Sequence, residues 1–366
     1  MRDEKEEDNS RPARSSPSEF DFVRRIRQRA LNQIEKSKNS SSLIPHPSSL
    51  SFGIGDDAAV IQQQTGRDTV VTADLLVEEI DFHLSTTTPW LLGYKALAVS
   101  LSDIAAMGAR PHYALLSIGL PQEIWDSDFI DELYEGFFAL ADTYNVALIG
   151  GDVSRTPERI VIDSIVIGEA ARGRAVYRSG ARPGDHIFVT GSLGGAAAGL
   201  RLLERGARLR RKSPRSSNQR ATEGLLLRQL RPEPRVPWGA LLGEEHLATA
   251  MIDISDGLSS DLAHLCTESR VGALLNASRI PIDPAVVHLC GRRALDPLLL
   301  ALHGGEDFEL LFTIRPRDLR WLPRALGDVP ATYIGDVTRD AGQIRLSEGS
   351  RVWTLEPGGF EHFESE

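Results

Sequence analysis

The sequence lacks the features that define several large protein classes. It contains two cysteines, Cys266 and Cys290, which are too few for a disulfide framework or a structural zinc site. We interpret both as reduced packing residues. No stretch approaches the roughly 20 uninterrupted apolar residues that span a bilayer, and the N-terminal MRDEKEEDNS has no apolar segment typical of a signal peptide. We therefore expect a soluble, cytoplasmic protein with no membrane partner.

The chain also lacks the usual nucleotide and nucleic-acid signatures. Its formal charge of -10 disfavours a nucleic-acid surface, which needs clustered basic residues. No G-x-x-x-x-G-K-[ST], H-R-D or D-F-G motif is present, and the glycines from Gly191 to Gly199 do not follow G-x-G-x-x-G spacing. Any phosphate chemistry in so acidic a chain would depend on metal ions. The nine histidines show no H-E-x-x-H spacing, which argues against softer metals.

The length of 366 residues favours two domains. Residues 1–19 mix charges with Pro and Ser, and we expect a disordered tail there. An N-terminal domain is predicted over 20–172 and a C-terminal domain over 173–366, because the Arg-, Gly- and Pro-rich RAVYRSGARPGD separates two ordered patterns. A basic insertion at 208–223 is predicted to be a surface loop, since it has little to bury.

Strand-like segments in the first half end in acidic residues. DTVVTAD is expected to be a strand that ends on Asp74, and VALIGGD one that ends on Asp152. The intervening TPWLLGYKALAVSLSDIAAMGA is predicted to be a helix. One face of this helix would carry Leu92, Ala96, Val99, Ser100 and Asp103. An aspartate so close to an apolar face requires a partner.

Four acidic segments of the first half carry the strongest chemical signal. They are GIGDDAAV, VVTAD, SLSD and GGD, which begin at positions 53, 70, 100 and 150. An isolated Asp beside Gly is usually a turn residue. Several carboxylates brought together raise one another's pKa unless a cation compensates their charge. Magnesium is the expected cation, because it prefers hard oxygen ligands and commonly bridges carboxylates to nucleotide phosphates.

The second half adds two acidic turns. In IDISDG, Asp253 and Asp256 flank Ser255 at a strand-to-helix junction, where free N–H groups would favour an anion, although a simple helix cap explains the same pattern. In GGEDFEL, Glu306 and Asp307 follow two glycines, which fits either an ordinary strand-entry turn or a functional loop. Both alternatives stay open from the residues alone.

The motifs in their order resemble the thiamine-monophosphate kinase family. The matching series is GIGDDAAV, TADLLVEE, YKALAVSLSDIAAMGARP, LIGGD, YRSGARPGD, VTGSLGGAAAGL, IDISDGLSSDL and GGEDFELLFT. It runs from about Phe52 to the C-terminal GGFEHF. The resemblance implies an α/β (α+β) fold of the two-domain aminoimidazole ribonucleotide synthetase-like type. In that fold the N-terminal sheet forms a dimeric barrel with a second subunit, and the C-terminal domain is α/β.

The resemblance also implies the site residues. Metal ligands would be Asp57, Thr72, Asp74, Asp103, Asp152, Asp253 and Asp256. ATP would contact Tyr134, Gly151, Asp152, Arg178 and Ser255, and the substrate would contact Asp81, Glu306 and Phe360. Asp56 is adjacent and acidic, but Asp57 takes the primary metal role.

Two positions depart from the family pattern. VEEIDF stands where the family usually has V-E-G-x-H-F, so Asp81 replaces the substrate-contacting histidine, and His83 lies two residues further on. The family's commoner Ser/Thr-Thr-Asp is TAD here, which leaves Ala73 without a side-chain oxygen. A metal contact at position 73 would therefore have to use the backbone carbonyl.

The implied reaction is ATP-dependent phosphorylation of thiamine monophosphate to thiamine diphosphate, the last step of thiamine diphosphate biosynthesis, in a homodimer with several Mg²⁺ ions. The acceptor phosphate is already ionised near neutral pH. The resemblance thus implies direct in-line transfer without a general base, metal-assisted by Asp57, Asp74 and Asp103, with Arg178 adding positive charge at the ATP. Another enzyme of this superfamily with a different acceptor, or a non-catalytic nucleotide- or metal-binding protein, stays open.

Overall fold

The computed structural model describes residues 19–38, 50–52, 60–209, 216–290 and 296–359. The N-terminal half combines strands and helices in a mixed order. Its elements are α1 (Glu19–Lys38), β1 (Leu50–Phe52), β2 (Val60–Ile61), β3 (Arg67–Val77), α2 (Pro89–Ala106), β4 (Arg110–Leu120), α3 (Gln122–Trp125), α4 (Phe129–Tyr144), β5 (Ala147–Arg155) and β6 (Val161–Ala171).

The C-terminal half is also mixed. Its elements are β7 (His186–Thr190), α5 (Gly195–Glu204), α6 (Ser217–Leu230), α7 (Val236–Glu244), β8 (Ala248–Asp253), α8 (Leu258–Ser269), β9 (Gly272–Asn276), α9 (Pro284–Cys290), α10 (Pro297–His303), β10 (Leu310–Ile314), β11 (Ala325–Leu326), β12 (Val329–Thr338), β13 (Ile344–Glu348) and β14 (Arg351–Thr354). Short 3-10 turns occupy Ala277–Arg279 and Pro316–Trp321.

Each half is built around its own sheet. The N-terminal sheet has the order β3-β6-β4-β5, in which only the β4–β5 pair is parallel. The C-terminal sheet has the order β14-β13-β9-β12-β7-β10-β8, and β11 pairs with β12. Strands β1 and β2 form a separate antiparallel pair. The division between the halves near residue 172 stays a proposal.

The two faces of the N-terminal sheet have different surroundings. Strand β3 alternates strictly, so Thr72 and Asp74 point to one face while Val71, Ala73 and Leu75 point to the other. The register places Asp74 opposite Ser164 of β6. Ser164 is buried, and its carbonyl accepts a hydrogen bond from Ser100 of α2 at 2.9 Å. The face that carries Asp74 is therefore the one that α2 covers.

Helix α2 is the most deeply buried helix of the N-terminal half. Thr88 caps its N-terminus by accepting a hydrogen bond from the Leu91 N–H. The backbones of α2 and α4 are in direct contact. A Cβ atom added at Gly93 would lie 1.8 Å from the Leu133 carbonyl oxygen, and one added at Gly136 would lie 1.7 Å from the Trp90 carbonyl oxygen. Only glycine, whose side chain is a single hydrogen atom, allows the two helix backbones to come this close.

One hydrophobic core joins the two halves. On the C-terminal sheet, Phe188, Met251 and Phe312 are register neighbours and belong to the same buried cluster as Leu97 and Leu101 of α2. The opposite face of that sheet carries a second cluster, which includes residues of α8. The C-terminal sheet is thus covered on both faces, by the N-terminal half on one side and by α8 on the other.

The structure corrects three boundaries of the sequence analysis. The predicted surface loop at 208–223 is wrong for its last part, because α6 begins at Ser217 with a capping box in which Ser216 and Gln219 satisfy each other's backbone N–H. Residues 210–215 and 1–18 lie outside the described residues, and residue 19 is already helical. Strands β3 and β5 continue beyond Asp74 and Asp152 instead of ending there.

Within the described ranges, no helix has both the length and the apolarity needed to cross a bilayer.

The contact between α2 and α4 can be tested with a matched pair of substitutions. Gly136→Ala should lower the free energy of unfolding by about 1–3 kcal/mol or more, since the added methyl group meets the Trp90 backbone. Gly224→Ala, in the exposed middle of α6 with open space around it, should raise stability by about 0.5–1 kcal/mol. Urea denaturation of both variants measures the difference, and equal effects would contradict the close packing.

Candidate functional site

Helix α2 holds carboxylates from both halves of the molecule. On its sheet-facing side, Asp103 accepts a hydrogen bond from the Thr72 hydroxyl at 2.5 Å. Asp74 lies on the same face of β3 as Thr72, two residues along the strand. The partner that Asp103 requires is therefore supplied by the predicted TAD segment. The structure brings Thr72, Asp74 and Asp103 together, as the sequence analysis expected of a metal site.

A third carboxylate comes from the C-terminal half. Asp253 ends β8 and is 4% exposed, and its Oδ2 accepts a hydrogen bond from the buried Ser102 hydroxyl at 2.7 Å. Ser102 and Asp103 are neighbours on α2, so their side chains point to different sides of the helix. The helix thus links Asp253 to Asp103 across the junction of the two halves.

These carboxylates raise one another's proton affinity. Burial first, and then the charge of Asp103, raise the pKa of Asp74 to about 6. Burial also raises the pKa of Asp103, although the Thr72 hydroxyl and Arg178 oppose the shift. Burial and the charge of Asp103 raise the pKa of Asp253 well above its ordinary value. A shared negative potential of this kind favours a bound cation.

The donor atoms fit a hard divalent cation such as Mg²⁺. The buried Oδ2 of Asp74 and the buried Oγ of Ser164 have no hydrogen-bond partner, and these two residues face each other across the β3–β6 pair. Buried oxygens without partners are costly, and a cation would satisfy the carboxylate. The donors around this point are carboxylate and hydroxyl oxygens, which Mg²⁺ prefers.

The carboxylates do not form a closed cage by themselves. In the part of the chain that the structure describes, no group of three or more His, Cys, Asp or Glu side chains converges closely enough to hold one ion. Mg²⁺ is usually bound by one or two carboxylates together with waters and substrate phosphates. An open arrangement is therefore suited to a cation that arrives with a nucleotide. The predicted ligand Asp57, with Asp56, lies outside the described residues.

The backbone N–H groups of the IDISDG turn are bound by a carboxylate of the helix that follows it. Asp261, within α8, accepts hydrogen bonds from the N–H groups of Asp256 at 3.2 Å and Gly257 at 3.1 Å. Those N–H groups, which precede the helix, are consequently not free for a phosphate. The N-cap residue Gly257 has no side chain that could cap α8, so both alternatives for this turn stay open. Burial first, and then the charge of Asp256, raise the pKa of Asp261 to about 7. Ser255 and Asp256 are half-buried at the start of this turn.

Arg178 acts electrostatically on both acidic groups. Its side chain is exposed, and its positive charge lowers the pKa of both Asp103 and Asp261. The carbonyl of Arg178 accepts a hydrogen bond from the Ser269 hydroxyl at 3.0 Å. The predicted nucleotide-binding arginine therefore lies at the same junction as the predicted metal ligands.

The backbone N–H groups of the GSLGG turn are also bound by a carboxylate of the chain. Asp307 accepts hydrogen bonds from the N–H groups of Gly194 at 2.6 Å and Ala196 at 3.1 Å, at the N-terminus of α5. This carboxylate stands where a phosphate would bind in a dinucleotide fold. Burial raises the pKa of Asp307 to about 6, while the nearby Arg228 opposes the shift. The N–H groups of Gly194 and Ala196 are thus engaged by a carboxylate of the chain itself.

Glu309 and Glu306 face different surroundings on the same loop. Glu309 is fully buried, accepts two hydrogen bonds from Arg235 at 2.6 Å each, and accepts another from Thr190 at 2.8 Å. The Glu306 side chain is 30% exposed and pairs with Lys95 of α2 at 2.6 Å. Of these two acidic side chains, the predicted substrate residue Glu306 is the one open to a ligand.

Three predicted nucleotide residues have other neighbours among the contacts of the described residues. The Tyr134 ring is 5% exposed and packs edge-on against Phe22, so a nucleotide contact would require it to leave the core. Asp152 is exposed, and the register puts it beside Ser117 of β4, while the adjacent Gly151 leaves room for the Leu116 oxygen. Roles for Tyr134, Gly151 and Asp152 stay predictions.

At one of the two departures from the family pattern, Asp81 and His83 lie in the turn that follows β3, whereas Ala73 lies within β3. Asp81 accepts a hydrogen bond from the Val77 N–H at 2.8 Å, and His83 lies 3.4 Å from Glu79. Both contacts close the turn that follows β3. A substrate contact by Asp81 stays a prediction, and Phe360 lies outside the described residues.

Sequence reasoning missed several residues of the site. Asp163, whose charge contributes to the raised pKa of Asp74, and Asp261 were not singled out. Lys95 and Ser102 were also missed, although a signal was available. They are seven residues apart on α2, and two helical turns place them on one face. A lysine within an otherwise apolar helix face indicates a buried acidic partner.

Comparison with known families identifies both halves. The model of the AIR synthase related protein, N-terminal domain, matches residues 55–170, and the model of the corresponding C-terminal domain matches 182–346. The predicted domain boundary after residue 172 falls between the two matches. The predicted two-domain fold of mixed α/β content is confirmed.

Individual relatives cover nearly the whole chain. The thiamine-monophosphate kinase of Bacillus subtilis (strain 168) is 37% identical over 351 residues, which are 94% of this chain and 99% of the relative. The crystal structure of thiamine-monophosphate kinase from Stenotrophomonas maltophilia K279a has a TM-score of 0.74 at 39% identity and covers 87% of this chain and 95% of that one. AaThiL complexed with AMPPCP and TMP has a TM-score of 0.71 at 31% identity, with coverage of 94% and 97%.

The raised pKa of Asp74 gives the site a predicted pH dependence. A cation must displace the proton from Asp74 once the pH falls below about 6, so the apparent affinity for Mg²⁺ should fall by about tenfold per pH unit for each displaced proton. Calorimetric titration with Mg²⁺ measures this affinity. We choose pH 7.5, 6.5 and 5.5, about one unit apart, so that they bracket the pKa of Asp74. Asp74→Asn should bind weakly at every pH. An affinity that is constant across this range would contradict the assignment.

Proposed function

Because this chain belongs to the thiamine-monophosphate kinase family of AIR synthase related proteins, we propose that it phosphorylates thiamine monophosphate with ATP to give thiamine diphosphate and ADP. The observation that carries the proposal is the group of carboxylates at α2, the half-buried Asp74 and Asp103 and the buried Asp253, at the junction of the two halves. The related AaThiL, solved with AMPPCP and TMP, supports the same pair of substrates.

The acceptor explains why the site needs no general base. A phosphate monoester has a second pKa of about 6, so its terminal oxygen is already anionic near neutral pH. That oxygen forms a bond to the γ-phosphorus of ATP as the bond between this phosphorus and ADP breaks. The main obstacle is repulsion between two anionic phosphates, and charge compensation removes it.

The chain's own residues divide this task. Asp74, Asp103 and Asp253 would hold divalent cations, with Asp57, Thr72, Asp152 and Asp256 as further proposed ligands. When bound, Mg²⁺ would supply positive charge between the two phosphates. Arg178, whose charge already acts on Asp103 and Asp261, adds positive charge on the nucleotide side.

The acceptor side of the site is proposed to include Glu306. Its carboxylate is partly exposed and lies next to the IDISDG turn, because the Glu306 N–H donates to the Ser255 oxygen at 2.7 Å. A carboxylate in this place suits the cationic thiazolium of thiamine phosphate. Asp81 and Phe360 are further proposed contacts to this substrate, and a cytoplasmic location stays a prediction.

The open face of the N-terminal sheet supports a homodimer. Val71 is 60% exposed and Leu75 is 57% exposed on this face. The register places the half-exposed Ile165, Ile167 and Leu115 on the same face of the neighbouring strands. Exposed apolar surface of this extent on one side of a sheet indicates a covering partner. We propose that a second copy covers it and completes the barrel expected from the family resemblance.

The reaction is tested by its product. Incubation of the protein with ATP, Mg²⁺ and thiamine monophosphate should yield thiamine diphosphate, detected by chromatography. Asp74→Asn should lower kcat by about 100-fold or more, since a ligand of the cation that compensates the phosphoryl charge is lost, while its circular dichroism stays unchanged. The exposed Asp142 of α4 offers a matched control, because Asp142→Asn removes one charge without touching the site. Phosphate release without thiamine diphosphate would instead favour a different acceptor, and near-normal turnover of Asp74→Asn would refute the assigned site.

The dimer is tested by its mass in solution. The protein should sediment with twice the mass of one chain, and Leu75→Asp should shift it toward the monomer, because the charge would be buried in the proposed interface. Val352→Asp is the control, since Val352 is 56% exposed on β14 of the other sheet. A monomeric wild-type protein, or a dimer unaffected by Leu75→Asp, would contradict this arrangement.

A further inference from the structure

We propose that Lys95 is a positioning residue that holds the Glu306 carboxylate toward the acceptor site and so sets the affinity for thiamine monophosphate without contacting it. The inference rests on the proposed function, because it assigns Lys95 to the acceptor side of that reaction. Its basis is an ion pair between the two halves in which the lysine is buried and the carboxylate is partly exposed. The Lys95 Nζ lies 2.6 Å from the Glu306 Oε1, and the two side chains are 5% and 30% exposed.

The backbone of Glu306 is fixed independently of this pair. Its N–H donates to the Ser255 oxygen at 2.7 Å, and the Phe308 N–H donates to the Ile254 oxygen at 2.9 Å. Both Glu306 and Phe308 have positive φ angles, 63° and 49°. Such conformations are unfavourable for these residue types and persist only where the surroundings enforce them. With the backbone fixed, side-chain partners decide where the carboxylate points.

Both oxygens of Glu306 have a partner. Oε1 pairs with Lys95, and Oε2 accepts a hydrogen bond from the Gln229 side-chain amide of α6. The two acidic neighbours on the loop are engaged elsewhere, since Asp307 binds backbone N–H groups of the α5 turn and Glu309 binds Arg235. Lys95 thus brings a full positive charge to the one partly exposed carboxylate of this loop.

The difference in exposure defines the role of Lys95. At 5% side-chain exposure its ammonium group is enclosed, whereas 30% of the Glu306 side chain can reach a ligand. Lys95 is therefore placed to act on a bound substrate through Glu306. A charge-assisted contact of this length fixes direction as well as charge. Without it, the carboxylate would be held on one oxygen only and would sample other orientations.

A double-mutant cycle tests the proposal through separate kinetic constants. Lys95→Met and Glu306→Gln should each raise KM for thiamine monophosphate by about tenfold, the size expected for loss of a charged contact. KM for ATP should stay within about twofold, because the nucleotide side is unchanged. If Lys95 acts through Glu306, the double variant should be no worse than Glu306→Gln alone.

Arg110→Met is the matched control. Arg110 of β4 pairs with Glu244 of α7, so this ion pair also links the two halves. Unlike the Lys95 side chain, both of its side chains are partly exposed. The KM of Arg110→Met for thiamine monophosphate should match the wild type. Additive effects of Lys95→Met and Glu306→Gln would overturn the proposal, as would a lowered thermal midpoint with unchanged KM. Turnover by the wild type separates the proposed function from the role of Lys95. If the wild type forms no thiamine diphosphate, the proposed function fails and the role of Lys95 fails with it. If the wild type is active but the effects of Lys95→Met and Glu306→Gln add, only the role of Lys95 is refuted.

Discussion

The need to satisfy polar side chains on a buried helix organises this molecule. Helix α2 carries Lys95, Ser100, Ser102 and Asp103 within an apolar interior, and each is paired with a different segment of the chain. Ser100 and Asp103 bind the N-terminal sheet, while Lys95 and Ser102 bind carboxylates of the C-terminal half. Because unpaired polar groups in a core are costly, these pairings fix how the halves meet. The site lies where they meet.

The same pairing requirement separates acidic residues that hold the fold from those left for a ligand. Asp261 and Asp307 bind backbone N–H groups at the starts of α8 and α5, where a phosphate would bind in other folds. Glu309 is enclosed by arginines. Asp74 keeps a buried oxygen without a partner. The N–H groups before α8 and at the start of α5 are thus engaged by the chain's own carboxylates, while Asp74 keeps an oxygen available.

Much of this arrangement could be predicted from the sequence, for physical reasons. The strand and helix patterns around Asp74, Asp103 and Asp253 are strongly periodic, and clustered acidic turns in an acidic protein indicate cations. Contacts between distant segments could not be derived in this way. Nothing local shows that Lys95 meets Glu306, that Asp307 caps α5, or that the Tyr134 ring packs against Phe22. The S-x-x-Q spacing from Ser216 to Gln219 is a local signal for a capping box, but the basic, polar composition around it predicts a loop.

The open sheet face and the carboxylates lie on opposite sides of β3, so a partner subunit could cover the apolar residues while α2 holds Asp74 in place. The central claim is that the carboxylates gathered by α2 would bind the divalent cations that compensate the charge of the two phosphates. A crystal structure with Mn²⁺, a non-hydrolysable ATP analogue and thiamine monophosphate tests it most directly. The account predicts anomalous scattering peaks within coordination distance of Asp74, Asp103 or Asp253. Peaks only elsewhere, with these carboxylates unliganded, would contradict it.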